Sequence, residues 1–267
     1  MKVYFLDLGY AYFNLNTLAN VHGEGVVRGR SPQYAILIDH PSGKKILIDC
    51  SFHPESMRGR WTPKRMFYSP YYYTPAQTME NQLALIGLGP EQIDIVLISH
   101  THIDHTGYLY LFPQATVYVN PKEFPVPGAL EWLQASVEDR EKMPSYKEFG
   151  ISDDLCCPIE KYVFVEDEPE IVEGVKIIQL PGHSPGQMGF LLDLENTGKV
   201  ILASDAAHLS ANYGPPVQIP PPNKDDEGYL ASMEKIRRLQ KETNAKILFG
   251  HDYEQFKKIK FAPFYYD

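Results

Sequence analysis

The 267-residue sequence predicts an α/β protein in which two β-sheets pack together and helices cover their outer faces. Short runs of branched and aromatic residues, typical of strands, come in two groups, and helical periodicity follows each group. Histidines and aspartates recur directly after several of these runs, and the carboxyl ends of strands commonly carry the sites of α/β proteins. A chain of this length can form one large domain or two small ones and buries a sizeable core without disulfides. We expect one domain over residues 1–267.

The first group of strands occupies the amino-terminal part of the chain. We expect strands at 2–7, 34–39, 45–49, 93–99 and 116–119. The stretch 10–33 contains several glycines and is expected to form a loop or hairpin. A helix is expected over 76–88, because Met79, Leu83 and Ile86 lie on one face at helical spacing.

An aromatic segment, residues 51–76, interrupts this first group. Trp61, Phe67 and Tyr72 lie there among arginines, lysines and prolines. The segment is too polar for a core and too aromatic for an idle loop, so we expect an insertion that covers a substrate pocket or contacts another subunit. Trp61, Phe67 and Tyr72 are therefore candidate pocket residues, and a homodimer is compatible with the pattern. The alternative is an ordered loop packed on its own rings.

The second group of strands follows a mostly polar stretch at 121–160, in which a short helix is expected near 130–135. We expect strands at 162–165, 175–180, 189–194, 199–203 and 247–249. A stiff proline-rich loop is expected at 214–224. A helix is expected over 227–243, where Leu230 and Met233 belong to an apolar stripe.

The densest functional signal is the run His100, His102, Asp104 and His105, directly after an apolar strand. In an extended backbone His100 and His102 point to one side, because side chains alternate along a strand. Asp104 and His105 follow after the chain has begun to turn and are able to face a second point. Imidazole and carboxylate ligands aimed at two points favour a pair of zinc or other divalent ions.

Four further candidates each lie at the end of a predicted strand: Asp49, His183, Asp205 and His251. His183 stands between glycines that allow a tight turn around a ligand. The sequence thus provides seven potential ligands and one further aspartate.

The run 100–105 has the pattern HxHxDH, and on it the chain resembles the metallo-β-lactamase superfamily, most closely the N-acyl homoserine lactonases. The Gly-His-Asp sequence at 250–252 adds to that resemblance. It implies an αββα sandwich of two mixed sheets with helices outside. It also implies that His100, His102 and His183 bind a first metal, that Asp104, His105 and His251 bind a second, and that Asp205 bridges them. Asp49 would orient a ligand histidine.

The chain departs from this family's pattern near Asp205. His208 stands where these lactonases usually carry a tyrosine, Ser204 stands where a small residue such as glycine is common, and Cys50-Ser51 replaces Thr-Gly. We expect His208 to face the metals and to act as an added hydrogen-bond donor to the substrate carbonyl.

The resemblance implies a lactonase that binds two divalent ions. We expect zinc, and iron, cobalt and manganese are the alternatives. A hydroxide bridging the ions would attack the carbonyl of an N-acyl homoserine lactone, and Asp104 would carry the proton to the leaving alkoxide. The alternatives are a pyridoxolactonase, a glyoxalase-II-like thioesterase, a mono-iron persulfide dioxygenase and a non-catalytic metal-binding protein. The thioesterase is disfavoured because only sixteen residues follow His251.

Composition limits the partners. A net charge of −9 disfavours nucleic acid and anionic membranes, whose recognition requires excess lysine and arginine. The sequence has an odd number of cysteines, Cys50, Cys156 and Cys157, so we expect no disulfide framework. Asp7 interrupts the first apolar run and no run reaches the length of a membrane span, so we expect a cytoplasmic protein.

Overall fold

A computed structural model describes residues 1–20, 23, 25–157, 159–221 and 223–267. The expected loop at 10–33 and the proline loop at 214–224 therefore lie partly outside the described residues. No helix among the described residues combines the length and the apolar character needed to cross a bilayer.

The first sheet contains seven strands within the described residues, in the spatial order β4-β1-β2-β3-β5-β6-β7. Its strands are β1 (Lys2–Asn14), β2 (Arg28–Asp39), β3 (Lys45–Ile48), β4 (Tyr71–Tyr72), β5 (Ile95–Leu97), β6 (Thr116–Val119) and β7 (Lys161–Phe164). β1 and β2 pair antiparallel, whereas β3, β5, β6 and β7 run parallel, so the sheet is mixed as expected.

The second sheet contains five strands in the described part of the chain, in the order β12-β11-β10-β9-β8. They are β8 (Glu170–Val172), β9 (Val175–Gln179), β10 (Met188–Leu194), β11 (Gly198–Ser204) and β12 (Lys246–Phe249). β11 pairs antiparallel with β10 and parallel with β12, so this sheet is mixed as well. β8 was not expected from the sequence.

Alternation along β1 explains how the sheets pack. Val3 and Phe5 belong to the core between the two sheets, whereas Tyr4 and Leu6 face the opposite way, into a core under the outer helices. The helices are α1 (Leu15–Leu18), α2 (Pro63–Tyr68), α3 (Met79–Ala84), α4 (Ile103–Thr106), α5 (Ala129–Gln134), α6 (Val137–Arg140), α7 (Ser210–Tyr213), α8 (Asp226–Thr243) and α9 (Tyr253–Phe256). The predicted αββα sandwich is therefore confirmed.

The helix boundaries follow their caps. The Asp225 carboxylate accepts from the Gly228 N–H at 2.8 Å and begins α8, which packs on the second sheet. The Leu230 side chain is 43 % exposed, so the expectation that it belongs to the apolar face of this helix is wrong. α3 begins after the Thr78 cap and is shorter than the expected 76–88 helix, because the chain leaves the helix before Gly87.

β1 continues to Asn14 instead of ending at residue 7. A bulge between Asp7 and Tyr10 allows the strand to bend and pair onward with β2 and β4. Gly9 lies in the bulge with φ +95°, and a side chain there would meet the Tyr72 carbonyl. The continued strand carries Phe13 to the edge where the candidate ligands gather.

Candidate metal centre

The seven candidate ligands lie at one edge of the sandwich, where strands of both sheets end. His100 and His102 follow β5, and the short helix α4 then carries Asp104 and His105. His183, Asp205 and His251 follow β9, β11 and β12 of the second sheet. Ligands from the two sheets, 78 (His105 to His183) to 151 (His100 to His251) positions apart in the sequence, thus meet because strand ends of both sheets face the same cleft.

The first cluster consists of His100, His102, His183 and Asp205, and the four offer ligand atoms within 4.8 Å of one another. His183 Nε2 lies 3.0 Å from His102 Nδ1 and 3.5 Å from Asp205 Oδ2. His100 Nε2 lies 3.7 Å from the same carboxylate oxygen. Three imidazoles and one carboxylate therefore converge on one small volume.

The second cluster consists of Asp104, His105, Asp205 and His251, again with ligand atoms within 4.8 Å. His105 Nε2 and His251 Nε2 lie 3.4 and 3.1 Å from Asp205 Oδ1. His251 Nε2 lies 3.6 Å from Asp104 Oδ2. Asp205 is the one residue common to both clusters, with Oδ2 toward the first and Oδ1 toward the second.

Hydrogen bonds from behind fix two of the imidazoles. Asp49 Oδ2 lies 2.7 Å from His105 Nδ1 and also accepts from Ser99 Oγ at 2.8 Å. Ser31 Oγ lies 2.8 Å from His251 Nδ1. Each contact engages Nδ1 and leaves Nε2 facing the cluster, which is how metal-binding histidines are commonly oriented.

Two residues next to these groups have left-handed backbone conformations that L-residues rarely adopt. Asp49 has φ +57° and Ser204 has φ +47° with ψ −139°. Such conformations cost on the order of 1–3 kcal/mol and tend to occur at functional sites. In Ser204 the backbone turns abruptly, and the turn directs Asp205 into the cleft.

The electrostatics favour neutral imidazoles at His100 and His183 and an ionised Asp205. Burial, with repulsion from His105, lowers the pKa of His100 well below its usual value, and burial also lowers the pKa of His183. Burial opposes a charge on His105 too, but the carboxylates of Asp49 and Asp205 outweigh it and raise the pKa of that imidazole. Although burial acts against the Asp205 charge, His251 and His105 hold the pKa of this carboxyl well below its usual range.

The residues fit two divalent ions. His100 Nε2, His105 Nε2 and Asp205 Oδ1 are buried and have no hydrogen-bond partner among the described residues. Leaving such atoms unpaired costs about 1–3 kcal/mol each unless something else binds their lone pairs. Nitrogen and oxygen donors of this kind suit zinc and other divalent transition metals.

His208 lies inside the same group of side chains. Its Nε2 is 3.3 Å from Asp205 Oδ2, and its ring centroid is 4.7 Å from that of His183. The side chain is buried, and Nδ1 has no hydrogen-bond partner within the described part of the chain. The structure thus brings His208 to the clusters, with one ring nitrogen toward Asp205 and the other unpaired.

A cavity of about 490 Å³ opens onto both clusters. Phe13 and Leu18 form part of its apolar wall, and the Phe13 ring centroid is 5.6 Å from that of His251. Glu123 lines the same cavity. Sequence reasoning missed all three, because a wall contributed by distant segments leaves no local spacing pattern.

Trp61, Phe67 and Tyr72 do not line this cavity, and in that respect the expectation for them is not met within one chain. The Trp61 ring packs on Phe52 at 4.8 Å, in a small core that Phe13 also packs against. Phe67 and Tyr72 are 65 % and 48 % exposed. Pairing of β4 with β1 holds the segment against the outer part of the first sheet, so its rings face the interior there or the solvent.

Comparison with known proteins gives a family match over most of the chain. The family model of the metallo-beta-lactamase superfamily matches residues 28–251. This range includes all seven candidate ligands, Asp49 and His208.

Individual relatives cover nearly the whole chain. The N-acyl homoserine lactonase AiiB of Agrobacterium fabrum is 28 % identical, over 97 % of this chain and 96 % of its own length. The N-acyl homoserine lactonase AiiA of Bacillus thuringiensis subsp. kurstaki is 25 % identical over 99 % and 98 %. A solved N-acyl homoserine lactone hydrolase with N-hexanoyl-L-homoserine bound at its metal centre superimposes with a TM-score of 0.79, at 23 % identity and with 99 % and 98 % of the two chains covered.

Proposed function

Since this chain belongs to the metallo-beta-lactamase superfamily, we propose that it is a metal-dependent hydrolase that opens the ring of N-acyl homoserine lactones. The observation that carries the proposal is the pair of His/Asp clusters joined by Asp205, in a chain that covers nearly the full length of named lactonases. We treat residues 1–267 as one metallo-hydrolase domain with an insertion at 51–76.

In this proposal the two clusters each hold one divalent ion. The ligands would be His100, His102 and His183 for the first ion, Asp104, His105 and His251 for the second, and Asp205 for both. When bound, such ions polarise a carbonyl oxygen and lower the pKa of water to about 7. We propose zinc because the donor set is imidazole and carboxylate.

The chain's own residues complete the chemistry. Asp104 lines the cavity, so its carboxylate is placed to take a proton and hand it to the leaving alkoxide. His208 also lines the cavity, and we propose that a ring N–H donates to the lactone carbonyl. The acyl chain would lie along Phe13 and Leu18, which belong to the apolar wall of the cavity.

A pyridoxolactonase is the second candidate. Its anionic aromatic substrate would require a cation in the pocket. Arg58 pairs with Glu55 on the surface, and Arg65 lies by the Trp61 ring in a separate cavity. Neither lines the cavity at the two clusters, but Lys224 does, so the cavity offers one cation to such a substrate.

Two further parts of the proposal concern the cellular location and the oligomeric state. We propose a cytoplasmic location, since Cys50, Cys156 and Cys157 are all unpaired, as in reducing compartments. We also propose a homodimer, because the exposed rings of Phe67 and Tyr72 would gain cover at a subunit contact. Light scattering on a size-exclusion column measures the oligomeric state directly.

The test of function uses protein purified without chelator. Elemental analysis should find close to two metal ions per chain, and turnover should be highest with N-acyl homoserine lactones. Pyridoxolactone, a glutathione thioester and a persulfide serve as competing substrates. A single iron with persulfide turnover, or two metals with no lactone hydrolysis, would overturn the proposed activity.

A further inference from the structure

Glu123 connects two loops that carry candidate ligands. It ends the short 3-10 segment Pro121–Glu123, which follows β6. Its Oε2 accepts from the backbone N–H of Thr101 at 3.0 Å and from Thr101 Oγ1 at 2.9 Å. Its Oε1 accepts from the backbone N–H of Gly186 at 2.7 Å. One carboxylate therefore binds two separate loops, one with each oxygen.

These two loops belong to different sheets. Thr101 lies between His100 and His102, directly after β5 of the first sheet. Gly186 lies in the turn that also carries His183, after β9 of the second sheet. The first cluster draws histidines from both loops, so its geometry depends on the distance between two sheets. Glu123 spans that distance by hydrogen bonds.

The residues around Glu123 support this connection between the two loops. Asn120 Nδ2 donates to Gln179 Oε1 at 2.9 Å, a second link from the same turn to β9. Gly186 allows the close approach, since a Cβ there would lie 2.9 Å from Glu123 Cγ and from Asn120 Cβ. The glycine is thus required for space.

We propose that Glu123 is a positioning residue that presets the spacing of His102 and His183 for the first metal ion. The proposal rests on the metal-dependent function proposed above. Both Glu123 oxygens already accept hydrogen bonds from the loops, so the carboxylate acts through His102 and His183. Residues that hold metal ligands in place typically contribute 10–100-fold to metal affinity.

The primary variants are Glu123→Ala and Glu123→Gln. The amide of glutamine has a single acceptor oxygen, so it cannot accept from both loops at once. Glu170→Gln is the matched control, because Glu170 Oε1 also accepts a backbone N–H, from Gly174 at 2.6 Å, yet Glu170 lies outside both clusters. Zn²⁺ and Co²⁺ affinities are measured by competition with a chromophoric chelator, together with the visible spectrum of the Co²⁺ protein and the melting temperature of the metal-free protein.

We expect Glu123→Ala and Glu123→Gln to lower the affinity for one of the two ions at least tenfold and to change the Co²⁺ spectrum of that site. The affinity for the other ion should stay the same. Glu170→Gln should leave both affinities unchanged. Unchanged affinities and spectrum in Glu123→Ala, or equal losses for both ions, would overturn the proposal. So would a loss in Glu170→Gln as large as that in Glu123→Gln.

Thr101→Val provides a test even if the Glu123 variants fail to fold. This variant removes only the hydrogen bond from the Thr101 hydroxyl to Glu123, so the affinity for the same ion should fall severalfold. Thr101→Ser keeps a hydroxyl and should therefore keep the wild-type affinity. No loss in Thr101→Val would refute the bridge. Affinities are measured without substrate: if the wild type binds two ions but hydrolyses no lactone, the proposed function fails while this inference stands on its own result.

Discussion

Replacing Asp49 with asparagine tests how His105 is held as a ligand. Asp49 Oδ1 accepts from the Ser99 N–H at 2.8 Å, and Oδ2 accepts from Ser99 Oγ and faces His105 Nδ1 at 2.7 Å. An asparagine has one acceptor oxygen and cannot replace both. If its amide group faces His105, the imidazole must accept at Nδ1 and carry its proton on Nε2, the nitrogen that points at Asp205.

The magnitude follows from the two orientations that the amide has available. A protonated Nε2 is unable to bind a metal, so affinity should fall about 10–100-fold, equivalent to about 1.4–2.7 kcal/mol. In the other orientation the amide opposes the Ser99 N–H, and two facing donors should cost about 1–3 kcal/mol of folding free energy. Asp49→Asn must therefore lose metal affinity, stability or both.

The assay combines urea unfolding of the metal-free protein with zinc affinity by chelator competition. Asp39→Asn is the control, since Asp39 pairs with Lys45 near the surface and its loss should change stability by about 0.5 kcal/mol or less. Wild-type values of both stability and zinc affinity in Asp49→Asn would refute the reasoning.

Four further outcomes are expected. His208→Phe should lower kcat at least tenfold, about 1.4 kcal/mol, with both metals retained; full turnover would exclude a role as donor. Phe13→Ala should cost about 1 kcal/mol more for long acyl chains than for short ones, whereas Tyr72→Ala should leave chain-length preference unchanged, in steady-state kinetics across a lactone series. Alkylation under denaturing, non-reducing conditions should label all three thiols by intact mass, and a protected pair would contradict it. Burial opposes ionisation of Asp94, but hydrogen bonds led by the Lys45 N–H lower the pKa of this carboxyl, so Asp94→Asn should destabilise the protein at pH 7 by at most about 1 kcal/mol, and the deficit should fade below about pH 4 in urea titrations.

The candidate ligands were predictable because their signal is local. His100, His102, Asp104 and His105 lie within six residues, after a short apolar run, and strand-end placement marked His183, Asp205 and His251. The strand at 116–119 was predicted with the boundaries that β6 has, because four alternating residues between turns are sufficient to define a strand. The fold followed from the same patterns, since two groups of strands with helices pack in few ways.

The wall of the cavity and the links behind the ligands were decided only by the tertiary structure. Phe13 reaches the site because a bulge lets β1 continue past residue 7, and that pairing is set by β2 and β4. Trp61 was expected at the pocket and instead packs on Phe52. An aromatic ring packs on any nearby apolar surface, and the local sequence does not indicate which surface that is. Glu123 reads as an ordinary polar residue in a turn, and its three hydrogen bonds exist only because loops from two sheets approach it. Local spacing thus determines which residues are able to bind a metal, whereas long-range pairing determines what surrounds and holds them.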